Sequence, residues 1–68
     1  MTARQREVFY QRTGFQEPES YIDSLRDKGK TEIDILDSEY WFWECGFASY
    51  MMNNFEYKSI KDGITVQL

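Results

Sequence analysis

The segment FEYKSIKDGITVQL, residues 55–68, carries the clearest structural pattern in the chain. Two runs rich in β-branched and aromatic residues, Phe55 to Lys61 and Ile64 to Leu68, flank the dipeptide Asp62-Gly63. Asp-Gly accommodates the positive φ angles of a two-residue hairpin turn with little strain. The segment therefore predicts a C-terminal β-hairpin. The residues expected to share one face of it are Tyr57, Ile64, Val66 and Leu68.

The hairpin needs a third strand, because two strands alone are only marginally stable in water. Residues Thr31 to Leu36 offer one, since Ile33 and Ile35 alternate there with acidic residues. The same residues also fit a helical 3–4 spacing that extends beyond the segment, so a helix is the competing interpretation. We favour the strand, because Asp37 and Ser38 are good capping residues that would begin a new helix immediately afterwards.

Two helices are predicted before this strand. The first runs from about Ala3 to Thr13, because Thr2 and Gln5 have the spacing of a capping box and Gly14 follows the last turn. The second runs from about Pro18 to Lys28, with proline at its first position, basic residues in its last turn and a glycine directly after it.

A third, aromatic helix is predicted from about Ser38 to Asn53. At 100° per residue its apolar side chains cover more than half of the circumference. Phe42 breaks the pattern because it falls on the otherwise polar face, and Trp41 points away from the main aromatic stripe. At least one of the two should lie at a surface or interface. Glu44 falls within the apolar arc, where it either pairs with a cation or reaches the solvent edge.

These elements predict one small globular domain of the α+β class over residues 1–68. Two N-terminal helices precede a strand, the aromatic helix and the hairpin, and the strands form a small antiparallel sheet. A chain of 68 residues leaves no room for a second domain.

Charge is distributed unevenly along the chain. Overall 12 Asp and Glu residues outnumber 8 Lys and Arg residues. The segment 31–54 contains five acidic residues and no basic residue, namely Glu32, Asp34, Asp37, Glu39 and Glu44. Such a block repels nucleic-acid phosphates and attracts a basic partner. The competing interpretation is a solvated surface that only keeps the protein soluble.

The sequence lacks the residues of common catalytic and metal sites. Cys45 is the one cysteine, and no histidine is present to generate its thiolate, so we expect it to be buried and inert. The acidic residues do not have the spacing of a calcium loop, and the four glycines are dispersed. We therefore expect no enzymatic activity, no metal and no cofactor.

The segment from Met1 to Glu7 contains two arginines without a following apolar run, so no secretory signal is expected. The longest uncharged stretch, Cys45 to Phe55, is about half of a membrane span. With one free cysteine, these features predict a cytoplasmic protein without a membrane partner. Direct nucleic-acid binding is also not expected, because three arginines on the first helix are weak against a negative chain.

Taken together, these features predict a small acidic protein-binding domain that acts as an inhibitor, adaptor or regulator of a larger protein machine. Its predicted contact residues are Trp41, Phe42, Glu39, Glu44, Asp37 and Asp34, because aromatic side chains dominate binding hot spots and the acids attract a basic surface. One alternative is a nucleic-acid mimic that blocks a DNA- or RNA-binding enzyme; inhibitors of host defence made by phages use this device, and the resemblance to them is one of charge only. The other is a structural homo-oligomer.

Overall fold

A computed structural model describes all residues from Met1 to Leu68. The elements are four helices and three strands: α1 (Ala3–Thr13), α2 (Pro18–Asp27), β1 (Glu32–Leu36), α3 (Tyr40–Glu44), α4 (Phe47–Asn54), β2 (Tyr57–Ile60) and β3 (Gly63–Gln67). The strands form one antiparallel sheet in the order β1-β3-β2. The predicted α+β class is therefore confirmed.

The first two helices begin and end where their local sequence predicts. Thr2 and Gln5 form a complete capping box at the start of α1, and Gly14 follows its last residue with a φ of 81°. The second helix has proline in its first turn and ends at Asp27, with Lys28 as its C-cap. These end contacts satisfy backbone groups that a helix otherwise leaves without partners.

Residues 32–36 form a strand, which resolves the choice between strand and helix. The strand pairs with β3, so that Ile33 is opposite Val66 and Ile35 is opposite Ile64. Ile35 and Val66 are fully buried, and Ile64 is nearly so. The alternation of isoleucine with acids therefore corresponds to one sheet face on the core and one towards solvent.

The predicted hairpin is present, but its turn lies one residue earlier than expected. Ile60 pairs with Gly63, so the two loop residues are Lys61 and Asp62. Gly63 itself lies in β3 and does not have a positive φ. It is needed for a different reason: a Cβ atom there would overlap the carbonyl oxygen of Ile35 and lie 2.8 Å from Cα of Leu36.

The predicted continuous helix from Ser38 to Asn53 is wrong. The chain forms two short helices, α3 and α4, because Gly46 adopts a left-handed conformation with a φ of 83° that ends the first helical run. The cap prediction is wrong as well, since α3 begins after Glu39, which makes no side-chain capping bond. Asp37 and Ser38 lie in the turn that precedes it.

Helices and sheet share one hydrophobic core of ten buried residues. Its centre is aromatic: the ring centroid of Phe47 lies 5.2 Å from that of Phe9, 5.5 Å from that of Tyr21 and 5.7 Å from that of Phe42. These rings come from four different helices. Large side chains thus allow a short chain to assemble its core from short elements.

Candidate protein-binding surface

The five acidic residues of segment 31–54 have no ion-pair partner in the structure. We call Glu32, Asp34, Asp37, Glu39 and Glu44 the acidic segment. The two ion pairs of the protein lie elsewhere, with a nitrogen to oxygen distance of 3.8 Å in both Arg6–Glu17 and Arg26–Asp23. The charge of the acidic segment is therefore not neutralised by a neighbouring cation.

Strand β1 places two of these carboxylates on the sheet face that points away from the core. Thr65 Oγ1 donates a 2.7 Å hydrogen bond to Asp34 Oδ1, and Gln67 Nε2 donates one of 3.3 Å to Glu32 Oε2. Both donors are neutral cross-strand neighbours on β3. They orient the carboxylates, and each carboxylate keeps further lone pairs for a partner.

A third carboxylate, that of Asp37, lies where β1 ends. The backbone N–H of Asp37 donates a 2.7 Å hydrogen bond to the carbonyl oxygen of Asp62. Both residues line a shallow concavity of about 520 Å³ together with Leu36, Ser38 and Tyr40. The side chain of Tyr40 is 72% exposed there. The sequence alone did not single out Tyr40 or Asp62, although the strand register, once known, brings Asp62 beside Asp37.

The last two acids lie apart from the sheet face. Glu39 is half-buried just before α3, close enough to Tyr21 to affect its titration. Glu44 is exposed, and its carbonyl oxygen accepts a 3.3 Å hydrogen bond from Gln5 Nε2 of α1. Of the two predicted states of Glu44, the solvent-edge position is the observed one. The acidic segment is therefore spread over a wide surface instead of one compact cluster.

The two aromatic contact residues have different positions. Phe42 is only 3% exposed and belongs to the core, which corrects its prediction as a contact residue. The helical projection misplaced it because α3 is a separate helix and does not continue into α4. Trp41 stacks on Phe42 with ring centroids 3.9 Å apart and remains half-buried. Trp41 is thus the member of the pair whose side chain remains partly exposed to solvent.

Cys45 is buried, as predicted, with 1% of its surface exposed. Burial raises the pKa of its thiol, and the negative charge of Glu44 raises it further, while backbone hydrogen bonds act in the opposite direction. Its Sγ lies 3.7 Å from the carbonyl oxygen of Phe42. A buried thiol with a raised pKa is a poor nucleophile near neutral pH.

We expect Tyr21 to make the stability of the protein sensitive to alkaline pH. Burial raises its pKa, and the nearby charge of Glu39 raises it further. A raised pKa in the folded state stabilises the protein below the unfolded value of about 10, and this stabilisation is lost as the pH rises through the folded value. We expect the free energy of unfolding, measured by urea titration, to fall above about pH 10. The Tyr21→Phe variant should show a shallower fall, and an unchanged slope would contradict the assignment.

Three further properties of the structure bear on which kinds of site it contains. No three Cys, Asp or Glu side chains converge closely enough to hold a metal ion. None of the four helices has the length and hydrophobicity needed to cross a bilayer. The largest concavity, about 550 Å³, is an open groove between α2 and β1.

The chain matches no protein-family model, no curated protein and no solved structure.

Proposed function

We propose that this protein is a small, non-enzymatic binding domain of the cytoplasm. It binds a basic surface of a larger protein and acts as an inhibitor, adaptor or regulator of that protein. The observation that supports this proposal is the acidic segment, whose five carboxylates have no ion-pair partner. Carboxylates without neighbouring cations keep their full attraction for a basic partner and steer its approach.

The surface around Asp37 supplies the apolar contact that charge alone does not give. Tyr40 is the most exposed of the large hydrophobic residues, and Leu36 is half-buried in the same concavity. An exposed tyrosine offers a large and fairly rigid contact with a polar end, which suits the centre of a binding site. The carboxylates of Asp37 and Asp62 would form its polar rim.

Charge reversal tests this proposal. The triple variant Asp34→Lys, Asp37→Lys and Glu39→Lys should lose about a hundredfold or more in affinity for a partner recovered with the wild-type protein, because attraction becomes repulsion. Binding of the wild-type protein should also weaken steeply as salt rises, since exposed charges are screened. Both effects can be measured by titration calorimetry with the purified partner.

The matched control carries the same change in charge at positions outside the acidic segment. Glu7, Asp27 and Glu56 are exposed and form no ion pair, so their triple replacement by lysine alters net charge equally. We expect this control to retain most of the affinity. Equal losses in both triple variants would refute a role for the acidic segment.

The same unpaired carboxylates support a second candidate, a mimic of nucleic acid that occupies a DNA- or RNA-binding groove. Proteins that bind DNA or RNA contact regularly spaced negative phosphates, and the acidic segment presents negative charge over a wide surface. In this case a short DNA or RNA duplex should compete with the protein for its partner. Binding that is unaffected by saturating nucleic acid would exclude mimicry and leave a contact at another basic surface.

A further inference from the structure

We propose that the free edge of β1 binds an extended segment of the partner as a fourth, antiparallel strand, in which basic residues alternate with apolar ones. This inference rests on the proposed function and adds the way in which the partner is bound. It is carried by three features of one region: unpaired backbone groups, a groove beside them that three of its eight lining residues make partly apolar, and carboxylates without cations.

The unpaired backbone groups follow from the hydrogen bonds at the two ends of β1. The N–H of Asp37 donates to Asp62 at 2.7 Å, and Thr31 accepts from the N–H of Leu68 at 2.9 Å. Because hydrogen-bonded pairs alternate along an antiparallel ladder, the odd-numbered residues of β1 bond to β3. The N–H and C=O groups of Glu32 and Asp34 therefore point away from β3, towards the open edge of the sheet.

The available edge has a defined length. At the end of β1 the carbonyl oxygen of Leu36 already accepts hydrogen bonds from the N–H of Glu39, at 3.0 Å, and from Trp43 Nε1, at 3.3 Å. The residues of this edge with both peptide groups free are thus Glu32 and Asp34, enough to pair a short segment of about five residues.

A groove lies directly beside this edge, between β1 and α2. Its volume is about 550 Å³, and its apolar lining consists of Tyr21, Leu25 and Ile33, all half-buried. Lys30, the one basic residue in the lining, lies two residues before the start of β1. A strand added to β1 would point every second side chain towards this groove.

The charges of β1 determine what the remaining side chains of the added strand must be. Residues directly opposite each other in an antiparallel pair share one face of the sheet. The residues opposite Glu32 and Asp34 would therefore lie on the solvent face beside two carboxylates, where lysine or arginine is favoured. The residues between them would face the groove and should be apolar.

A second copy of this chain is a poor occupant. Two-fold pairing of β1 with itself would bring Glu32 of one copy opposite Asp34 of the other, and like charges in that position are destabilising. The opposite edge of the sheet, β2, has the wrong charge for a basic segment because it carries Lys58 on the same face. A lysine on an exposed edge strand also discourages pairing with other chains.

The experiment uses the full-length protein and a five-residue probe, Lys-Val-Lys-Val-Lys with blocked ends. In amide hydrogen exchange followed by NMR, the free N–H groups of Glu32 and Asp34 should become protected when the probe binds. Those of Tyr57 and Ser59, which point outwards from β2, should not change. Protection on β2, or none on β1 at saturation, would overturn the inference.

N-methylated probes separate strand addition from charge attraction. In antiparallel pairing the N–H groups of the lysines face β1, so N-methylation of the lysines should abolish binding although the charges remain. N-methylation of the valines modifies groups that face away from β1, and this matched probe should bind like the parent. Equal binding of both methylated probes would show attraction by charge alone, and selective loss with the valine-methylated probe would overturn the antiparallel register.

Protein variants complete the test and keep it distinct from the proposed function. The double variant Glu32→Gln and Asp34→Asn should lower the affinity for the probe by about tenfold or more. Lys58→Glu on β2 should leave that affinity unchanged. If the probe fails to bind while charge reversal still abolishes attachment of the natural partner, the inference fails and the proposed function stands. If neither charge change affects the partner, both fail.

Discussion

Phe42→Ala is expected to unfold the protein instead of merely weakening a binding surface. The side chain is 3% exposed, stacks on Trp41 with centroids 3.9 Å apart and lies 5.7 Å from Phe47 at the centre of the core. Replacing a buried phenylalanine by alanine costs about 3–5 kcal/mol. A domain of this size has only about 3–5 kcal/mol of stability. Circular dichroism at room temperature should show loss of helix and sheet together.

Trp41→Ala provides the comparison within the same stack. Its indole is half-buried, so we expect a loss of about 1–2 kcal/mol in the free energy of unfolding and a fold that survives. The Trp41 variant can therefore be used in binding experiments, and the Phe42 variant cannot. A well-folded Phe42→Ala protein would contradict the core position of this ring.

Gly63→Ala is expected to destabilise the protein by about 2–3 kcal/mol, a large loss for one added methyl group. The new Cβ would overlap the carbonyl oxygen of Ile35 and come within 3.0 Å of the carbonyl carbon of Ile35. These atoms belong to the backbone of β1, which is held in the sheet and cannot rotate away. The strands must separate at this point, which weakens the pairing of Leu36 with position 63.

Gly29→Ala is the matched control, since it adds the same methyl group where no atom lies within 4 Å. Its cost is only that of a left-handed backbone at a φ of 84°, about 1–2 kcal/mol. Urea titration should therefore rank Gly63→Ala below Gly29→Ala in stability. The reverse order would show that β1 does not approach β3 as closely as described.

Local sequence patterns were sufficient for the elements whose ends are fixed locally. The capping box of Thr2 and Gln5 and the glycine at position 14 are contacts within a few residues, and α1 has the predicted bounds. The alternation of Ile33 and Ile35 with acids likewise predicted a strand, because it reports which face meets the core.

Predictions that depended on contacts between distant segments were less accurate. Gly63 suggested a turn position, but its reason for being glycine is the backbone of β1, which no local pattern reveals. Gly46 separates α3 from α4, although the apolar periodicity predicted one continuous helix. A helical projection assumes a single helix axis and cannot detect such a break. Phe42 was placed at a surface for the same reason.

The candidate binding surface was predicted in its charge but not in its shape. The acidic residues are evident from composition, whereas the exposure of Tyr40 and its concavity with Asp37 and Asp62 depend on the strand register. The unpaired peptide groups of Glu32 and Asp34 depend on which strand becomes central in the sheet, and that is a property of the whole fold.

The central position of β3 has a consequence for how fast the sheet assembles. β2 and β3 are joined by two residues, so their pairing can form within microseconds. β1 reaches β3 only after the chain between Leu36 and Gly63 has closed a long loop, which is slow because loop entropy must be lost first. We therefore expect substitutions in β1 to accelerate unfolding more than they slow folding, and the opposite for substitutions in the hairpin. Before β1 pairs with β3, the core-facing side chains of β3 are exposed to solvent. Aggregation during refolding should therefore be most sensitive to changes at Ile64 and Val66.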